Sequence, residues 1–174
     1  MPHVPAADPV PAGPLTPRAS YARAVLSIVE ATSVDDELEA AVARLLPQLS
    51  RSASAPSRAE LAELVASPAS RLLLARDDAT AQVVGMLTLA LFRIPSGVRA
   101  WIEDVVVDDA ARGRGAASAL TRAALDLAAG AGARTVELTS RPSRQAANRL
   151  YVRLGFVTRE TNVYRIDVPG LADR

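Results

Sequence analysis

The stretch from Trp101 to Ser118 reads WIEDVVVDDAARGRGAAS, and its residue types and spacing suit chemistry. Val105, Val106 and Val107 have the β-branched composition of a buried strand. The chain then passes through an acidic turn, Asp108-Asp109, into Arg112, Gly113, Arg114, Gly115, Ala116, Ala117 and Ser118, where a helix begins. A strand, a loop of small residues and a helix N-terminus together favour an anion. The N–H groups of the first helical turn have no helical partners, and the macrodipole adds positive potential there. Arg112 and Arg114 offer charge-assisted bonds to phosphate oxygens. The pattern suits a diphosphate. It is not a nucleotide P-loop, because no Gly-Lys-Ser/Thr is present. A dinucleotide fingerprint needs three glycines after the first strand of a βαβ unit. Here Gly113 and Gly115 stand alone, two thirds of the way along the chain. By itself the glycine pair also fits a tight turn with a helix cap.

Two acids, Glu103 and Asp104, lie just upstream of the valines. Neighbouring strand residues point to opposite faces, so at most one faces a given site unless a bulge intervenes. Either one suits holding a cation or relaying a proton through water; both also read as solvated hairpin charge. Other catalytic apparatus is missing from the sequence. There is no Cys, and the single His is His3, inside a proline-rich stretch. Thiolate nucleophiles and disulfides are thereby excluded, and the lone His3 argues against a Ser-His-Asp triad or a His-ligated zinc. The basic residues are all Arg, which excludes a lysine Schiff base. No metal is expected.

The chain has 174 residues, 49% hydrophobic and 22% charged, a composition ordinary for one globular domain. Lys and Arg total 20 against 19 Asp and Glu, a net charge of +1 that gives no electrostatic case for nucleic acid or membrane. The longest apolar run, Val83 to Phe92, is too short to span a bilayer. The N-terminus has no apolar signal-type core, so the cytoplasm is the expected location.

These pieces need a scaffold. Prolines at 2, 5, 9, 11, 14 and 17 make residues 1–19 a disordered tail, and 20–174 a single domain. Val25, Ile28 and Val29 predict a first strand ending near Ala31. Ser33, followed by Asp35, Asp36 and Glu37, reads as a helix start, and Leu38, Val42, Leu45, Leu46 and Leu49 recur at helical spacing. Ser57 and Glu60 form a capping box for a second helix running to Ser67. Strands follow at Arg71–Arg76, Gln82–Phe92 and Arg99–Val107, with Pro95-Ser96-Gly97 as a hairpin turn. A helix at Gly115–Ala129, a strand at Thr135–Thr139 and a helix at Ser143–Leu154 come next. Short strands at Phe156–Arg159 and Val163–Val168 complete the order β-α-α-β-β-β-α-β-α-β-β. The class is α+β, a mixed α/β sheet that is mostly antiparallel, with helices on both faces.

At this point the residues resemble a known family, the GNAT superfamily of acetyl-CoA-dependent N-acetyltransferases. Arg112, Gly115 and Ala117 match its loop pattern Arg/Gln-x-x-Gly-x-Gly/Ala. Ala147, Tyr151, Gly155 and Phe156 match its later motif Asn-x-x-Ala-x-x-x-Tyr-x-x-x-Gly-Phe. The element order is also the family's, over roughly Ala24 to Val168. One position departs: Arg144 stands where the family has Asn. The segment Trp101-Ile102-Glu103-Asp104 further resembles glucosamine-6-phosphate N-acetyltransferase, without implying its substrate.

The resemblance implies an acyl-CoA N-acyltransferase fold and acetyl transfer from acetyl-CoA to a primary amine. Val105, Val106 and Val107 would bond the pantetheine arm, and Arg112 to Ser118 would hold the diphosphate. Arg144 either reaches a phosphate or is solvated; Asn148, one turn on, either compensates for the missing Asn or lies at the surface. Tyr151 would be the general acid: a phenol of pKa near 10 can protonate a departing thiolate of pKa about 8.5. Glu103 and Asp104 are the candidates for handling the amine. Arg99, Arg141, Arg159 and Arg165 read either as acceptor-site cations or as surface charge, and Trp101 as acceptor wall or hairpin platform. A small-molecule amine is the expected acceptor, with a protein amine or an inactive coenzyme-binding module as alternatives. Homodimerisation, common in the superfamily, stays open.

Overall fold

A computed structural model describes residues 26–50, 52–166 and 168. The proline-rich stretch 1–19 lies outside the described residues. Strand β1 (Leu26–Glu30) is followed by helices α1 (Asp36–Leu49) and α2 (Arg58–Ala66). Strands β2 (Ser70–Asp77), β3 (Val83–Ile94) and β4 (Gly97–Val107) make two successive antiparallel hairpins. A 3-10 turn (Asp109–Ala111) leads to helix α3 (Ala116–Gly130), strand β5 (Ala133–Leu138) and helix α4 (Gln145–Arg153).

The five strands lie in sequence order, with β4 and β5 parallel and the other pairs antiparallel. Strand alternation splits the core between two faces. Leu73, Ala75, Leu87, Leu89, Ala100 and Ile102 pack against Ala116, Leu120, Ala124 and Ala128 of α3. Leu72, Leu74, Val83, Met86 and Val106 pack against Leu38, Val42 and Leu45 of α1 and Leu61 of α2. This is the expected mixed sheet with helices on both faces. Among the described residues no helix is long and apolar enough to cross a membrane.

Local signals explain most boundaries. Ser57 and Glu60 form the capping box of α2, each bonding the other's backbone N–H. The start of α1 is corrected from Ser33 to Asp35, whose carboxylate accepts from Leu38 N–H at 2.8 Å. An aspartate cap beside Asp36 and Glu37 combines side-chain capping with charge at the positive end of the helix.

The chain after α4 differs from expectation. No strand forms in the described part of Phe156–Arg159 or Val163–Val168, so the observed order ends at α4. The physical reason is burial. Val157, Val163, Tyr164 and Ile166 are 76–88% exposed, and an alternating segment with no face to cover gains little from a ladder.

Leu120 is fully buried where α3 crosses the sheet. Leu120→Ala is expected to lower unfolding free energy by about 2–5 kcal/mol, the range for leucine truncation in a packed core. Urea denaturation with an unchanged m-value checks this.

Candidate functional site

The site is built where β4 leaves β5. The parallel ladder pairs Val98 with Ala133, Ala100 with Val136, Trp101 with Glu137 and Ile102 with Leu138, and there β5 ends. β4 runs on for five more residues, Glu103 to Val107, which among the described residues pair only with β3. Between Met86 and Thr88 the β3–β4 register shifts: Thr88 faces Glu103, whereas Met86 faces Val106. The extra residue is a β-bulge, and Asp104 adopts a left-handed φ of 51°. Left-handed backbone is several-fold enriched in aspartate.

The bulge resets which face each residue occupies. Ala100 and Ile102 lie in the α3 core, and so do Val105 and Val107 beyond the bulge; Val106 packs against α1. Valine side chains on both faces clamp the strand, while among the described residues its outer backbone edge meets no neighbouring strand. Glu103 and Asp104 are both exposed at the point of divergence. The bulge therefore frees the two acids from strict alternation.

The loop that follows is fastened from three sides. Arg44 of α1 pairs with the Asp108 carboxylate and donates to Val83 O at 2.5 Å. Gln48, one turn on, accepts from Asp109 N–H at 2.9 Å. Arg112 pairs with Asp109. Arg114 bonds Asp77 at 2.5 Å, and the Asp77 side chain is 6% exposed. The Arg114 guanidinium, with the N–H of Ala79, holds the Asp77 carboxyl below the usual carboxylate range. Sequence patterns do not reveal Arg44, Gln48 or Asp77 as anchors of this loop, because their partners are 37 to 64 residues away.

Helix α3 starts without a side-chain cap. Its first internal bond runs from Ala119 N–H to Gly115 O. The N–H groups of Ala116, Ala117 and Ser118 thus have no helical acceptor. Gly113 (φ 77°) and Gly115 (φ 91°) are both left-handed, and a Cβ on either would meet nothing within 4 Å. These positions demand glycine for backbone conformation, and the space in front of them is open. An elongated ligand with an anionic group fits this combination: free N–H groups at a helix start, clear space before them and an unpaired strand edge alongside.

Helix α4 carries the remaining candidates. Tyr151 is 9% exposed and packs edge-on against Phe156, with ring centroids 5.7 Å apart. Burial raises its phenol above the ordinary value, and the Arg144 guanidinium pulls it partly back. Arg144 is the N-cap residue of α4 and donates to Leu49 O at 2.9 Å, which ties α4 to the end of α1. Asn148 is half-buried and donates to Arg141 O at 3.1 Å. Arg99 and Arg159 both approach Glu137, at 3.5 and 2.6 Å. Arg141 and Arg165 are exposed.

The profile of the Acetyltransferase (GNAT) family matches residues 38–156. The chain belongs to this family. It is an N-acetyltransferase, and the family uses acetyl-CoA. Solved structures share the fold. An aminoglycoside acetyltransferase from an uncultured soil metagenomic sample superposes with TM-score 0.72 at 23% identity, covering 83% of this chain and 99% of that one. Glucosamine-6-phosphate N-acetyltransferase from Arabidopsis thaliana gives 0.68 at 15% identity, covering 82% and 98%. Ribosomal-protein-alanine N-acetyltransferase from Brucella melitensis biovar Abortus 2308 gives 0.67 at 21%, covering 83% and 99%. No curated protein matches the sequence significantly. The three names carry three kinds of acceptor, so the shared fold does not select one.

The Asp77–Arg114 pair makes a pH prediction. Asp77 has a depressed carboxyl in the folded state, so its contribution is complete above the unfolded value of about 3.9 and is lost as pH falls through the folded value. The stability gap between wild type and Asp77→Asn is expected to be constant above about pH 5 and to shrink below about pH 4. Denaturation at a series of pH values measures it.

Proposed function

We propose that this chain transfers an acetyl group from acetyl-CoA to the primary amine of a small molecule by direct attack. The observation that carries the reading is the conjunction of an uncapped helix start, with Gly113 and Gly115 left-handed before it, and a β4 edge that has lost its neighbour beyond Ile102. Bound acetyl-CoA supplies a thioester whose acetyl carbon is the electrophile.

In this reading the N–H groups from Gly113 to Ser118 cradle the diphosphate, with Arg112 and Arg114 alongside. Arg114 keeps donors beyond the one it spends on Asp77, since a guanidinium carries five N–H bonds. The edge of Val105, Val106 and Val107 bonds the pantetheine amides as an added strand would, and an N–H there polarises the thioester carbonyl. Arg144 and Asn148 meet the coenzyme from the start of α4.

The amine attacks as the neutral base. Its nitrogen bonds to the acetyl carbon, the carbon–sulfur bond breaks, and two proton movements complete the exchange. Glu103 or Asp104 accepts the amine proton through water, and the Tyr151 hydroxyl donates to the departing thiolate. With no cysteine and no histidine beyond His3, carboxylates are the acceptors this sequence offers. The Tyr151 phenol, held above its ordinary value by burial, is protonated at neutral pH and so has a proton to give.

Calorimetry with acetyl-CoA, followed by thiol release over an amine panel, tests the reading. Gly115→Val is expected to abolish coenzyme binding; a variant that folds and still binds would place the diphosphate elsewhere. Tyr151→Phe is expected to lower the maximal rate about 100-fold while leaving coenzyme affinity unchanged. An unchanged rate removes Tyr151 from the mechanism. Since the acid must be protonated, activity is lost as pH rises through its value, which burial moves above about 10. The alkaline limb of the wild-type profile is expected there and not near neutrality.

A further inference from the structure

A second depression lies on the same sheet, away from the α3 loop. It has a volume of about 260 Å³ and is walled by Phe92, Ile94, Arg99, Trp101, Glu137 and Arg159. We infer that it is the subsite for the far end of the acceptor, and that this far end carries an anion, a carboxylate or a phosphate. The inference rests on the acetyl-transfer reading and adds the class of amine.

Strand parity places the depression. Leu89, Leu91, Ala100 and Ile102 face α3. Phe92, Arg99, Trp101 and Glu103 therefore face the other way, towards the side that carries α1 and α2. Phe92 pairs with Arg99 across β3–β4, and Trp101 with Glu137 across β4–β5. The sheet residues buried by α1 and α2 are Leu72, Leu74, Val83, Met86 and Val106, so those helices cover the opposite half of this face. Among the described residues no helix covers the half with Phe92 and Trp101, and Phe92 is 45% exposed.

The depression adjoins the reacting end of β4. Trp101 and Glu103 share a face two residues apart, about 7 Å at ~3.3 Å per residue, and Arg99 is four residues from Glu103, roughly 13 Å. An amine presented at Glu103 has its other end over Trp101 and Arg99. The volume falls below the ~300–1,000 Å³ of whole-ligand sites, which fits a cavity that takes part of a molecule.

Its charge selects the occupant. Arg99 and Arg159 share one carboxylate, Glu137, which leaves one positive charge in excess. Their side chains are 43% and 64% exposed, so guanidinium donors remain open to an incoming ligand. A carboxylate or phosphate gains charge-assisted, bidentate bonds there, whereas a polycationic amine meets like charge. Trp101 and Phe92 supply flat apolar walls for the carbon skeleton in between.

Trp101 is the sole tryptophan, so its fluorescence reports occupancy directly. The probes are matched pairs: 6-aminohexanoate with its amide, and 6-aminohexyl phosphate with 6-aminohexanol. At least one anionic member is expected to change the emission at concentrations about tenfold below its neutral partner, and the response should weaken with salt. The two arms show whether carboxylate or phosphate is preferred. Arg99→Gln and Arg159→Gln are each expected to weaken the anionic member about tenfold and leave the neutral one unaffected. Glu137→Gln, which frees both guanidiniums, is expected to tighten it severalfold; a structural role for Glu137 would not have that effect. Equal response to charged and neutral partners, or a preference that survives the double Arg99→Gln/Arg159→Gln change, overturns the inference. Parallel calorimetry with acetyl-CoA separates the two claims. Lost coenzyme binding in the wild type sinks the acetyl-transfer reading, while a silent Trp101 beside intact coenzyme binding sinks the subsite alone.

Discussion

The parallel ladder between β4 and β5 stops at Ile102 and Leu138, and the rest of the site depends on that end. A strand edge inside a folded protein normally finds a partner, because unpaired backbone groups away from water are costly. Here the edge from Glu103 to Val107 is kept open by side-chain packing. Val105 and Val107 bury against α3 and Val106 against α1, so the strand is fixed in place without a second ladder. The bulge at Asp104 makes this arrangement work. Without the extra residue, the alternation that buries Ile102 would aim Val105 at the opposite face.

The loop beyond β4 shows the same separation between what holds and what is held open. Side chains do the fastening: Arg44 on Asp108, Gln48 on Asp109 and Arg114 on Asp77. Among the described residues, the backbone N–H groups at the start of α3 are left without partners. Donors that are already oriented need little reorganisation when an anion arrives, which is the condition under which electrostatic stabilisation is largest. Breaking Asp77–Arg114 removes an anchor and also leaves a buried carboxylate without its cation, so this pair couples loop geometry to stability.

Much of this was legible in the residues, for physical reasons that differ from element to element. Short-range rules carry the capping box of α2, the two hairpins and the glycine-containing loop that opens α3, since each depends on residues close together in the chain. The N-cap of α1 was displaced by two residues because Ser33 and Asp35 both have suitable side chains, and the first turn decides between them. The parity of Glu103 and Asp104 was illegible, because a bulge arises from pairing with β3 and leaves no local signature beyond an aspartate that tolerates positive φ. The segments at Phe156 and Val163 read as short strands, yet such a segment becomes a strand only when one face is covered. The anchors Arg44, Gln48 and Asp77 are ordinary surface-type residues until the fold brings their partners to them.

β4 thus performs two tasks with two different parts of its structure. Its backbone edge and the loop after it are proposed to take the coenzyme, which is chemically constant, and main-chain groups recognise such a ligand without regard to side-chain identity. Its outward side chains, with those of β3 and β5, are proposed to line the side from which an acceptor enters, and substitutions there change shape and charge without moving the ladder. In this chain the outward positions are Trp101, Arg99 and their neighbour Glu137, so in the proposed reading an aromatic wall and an excess guanidinium select the acceptor, beside the point where β4 comes free.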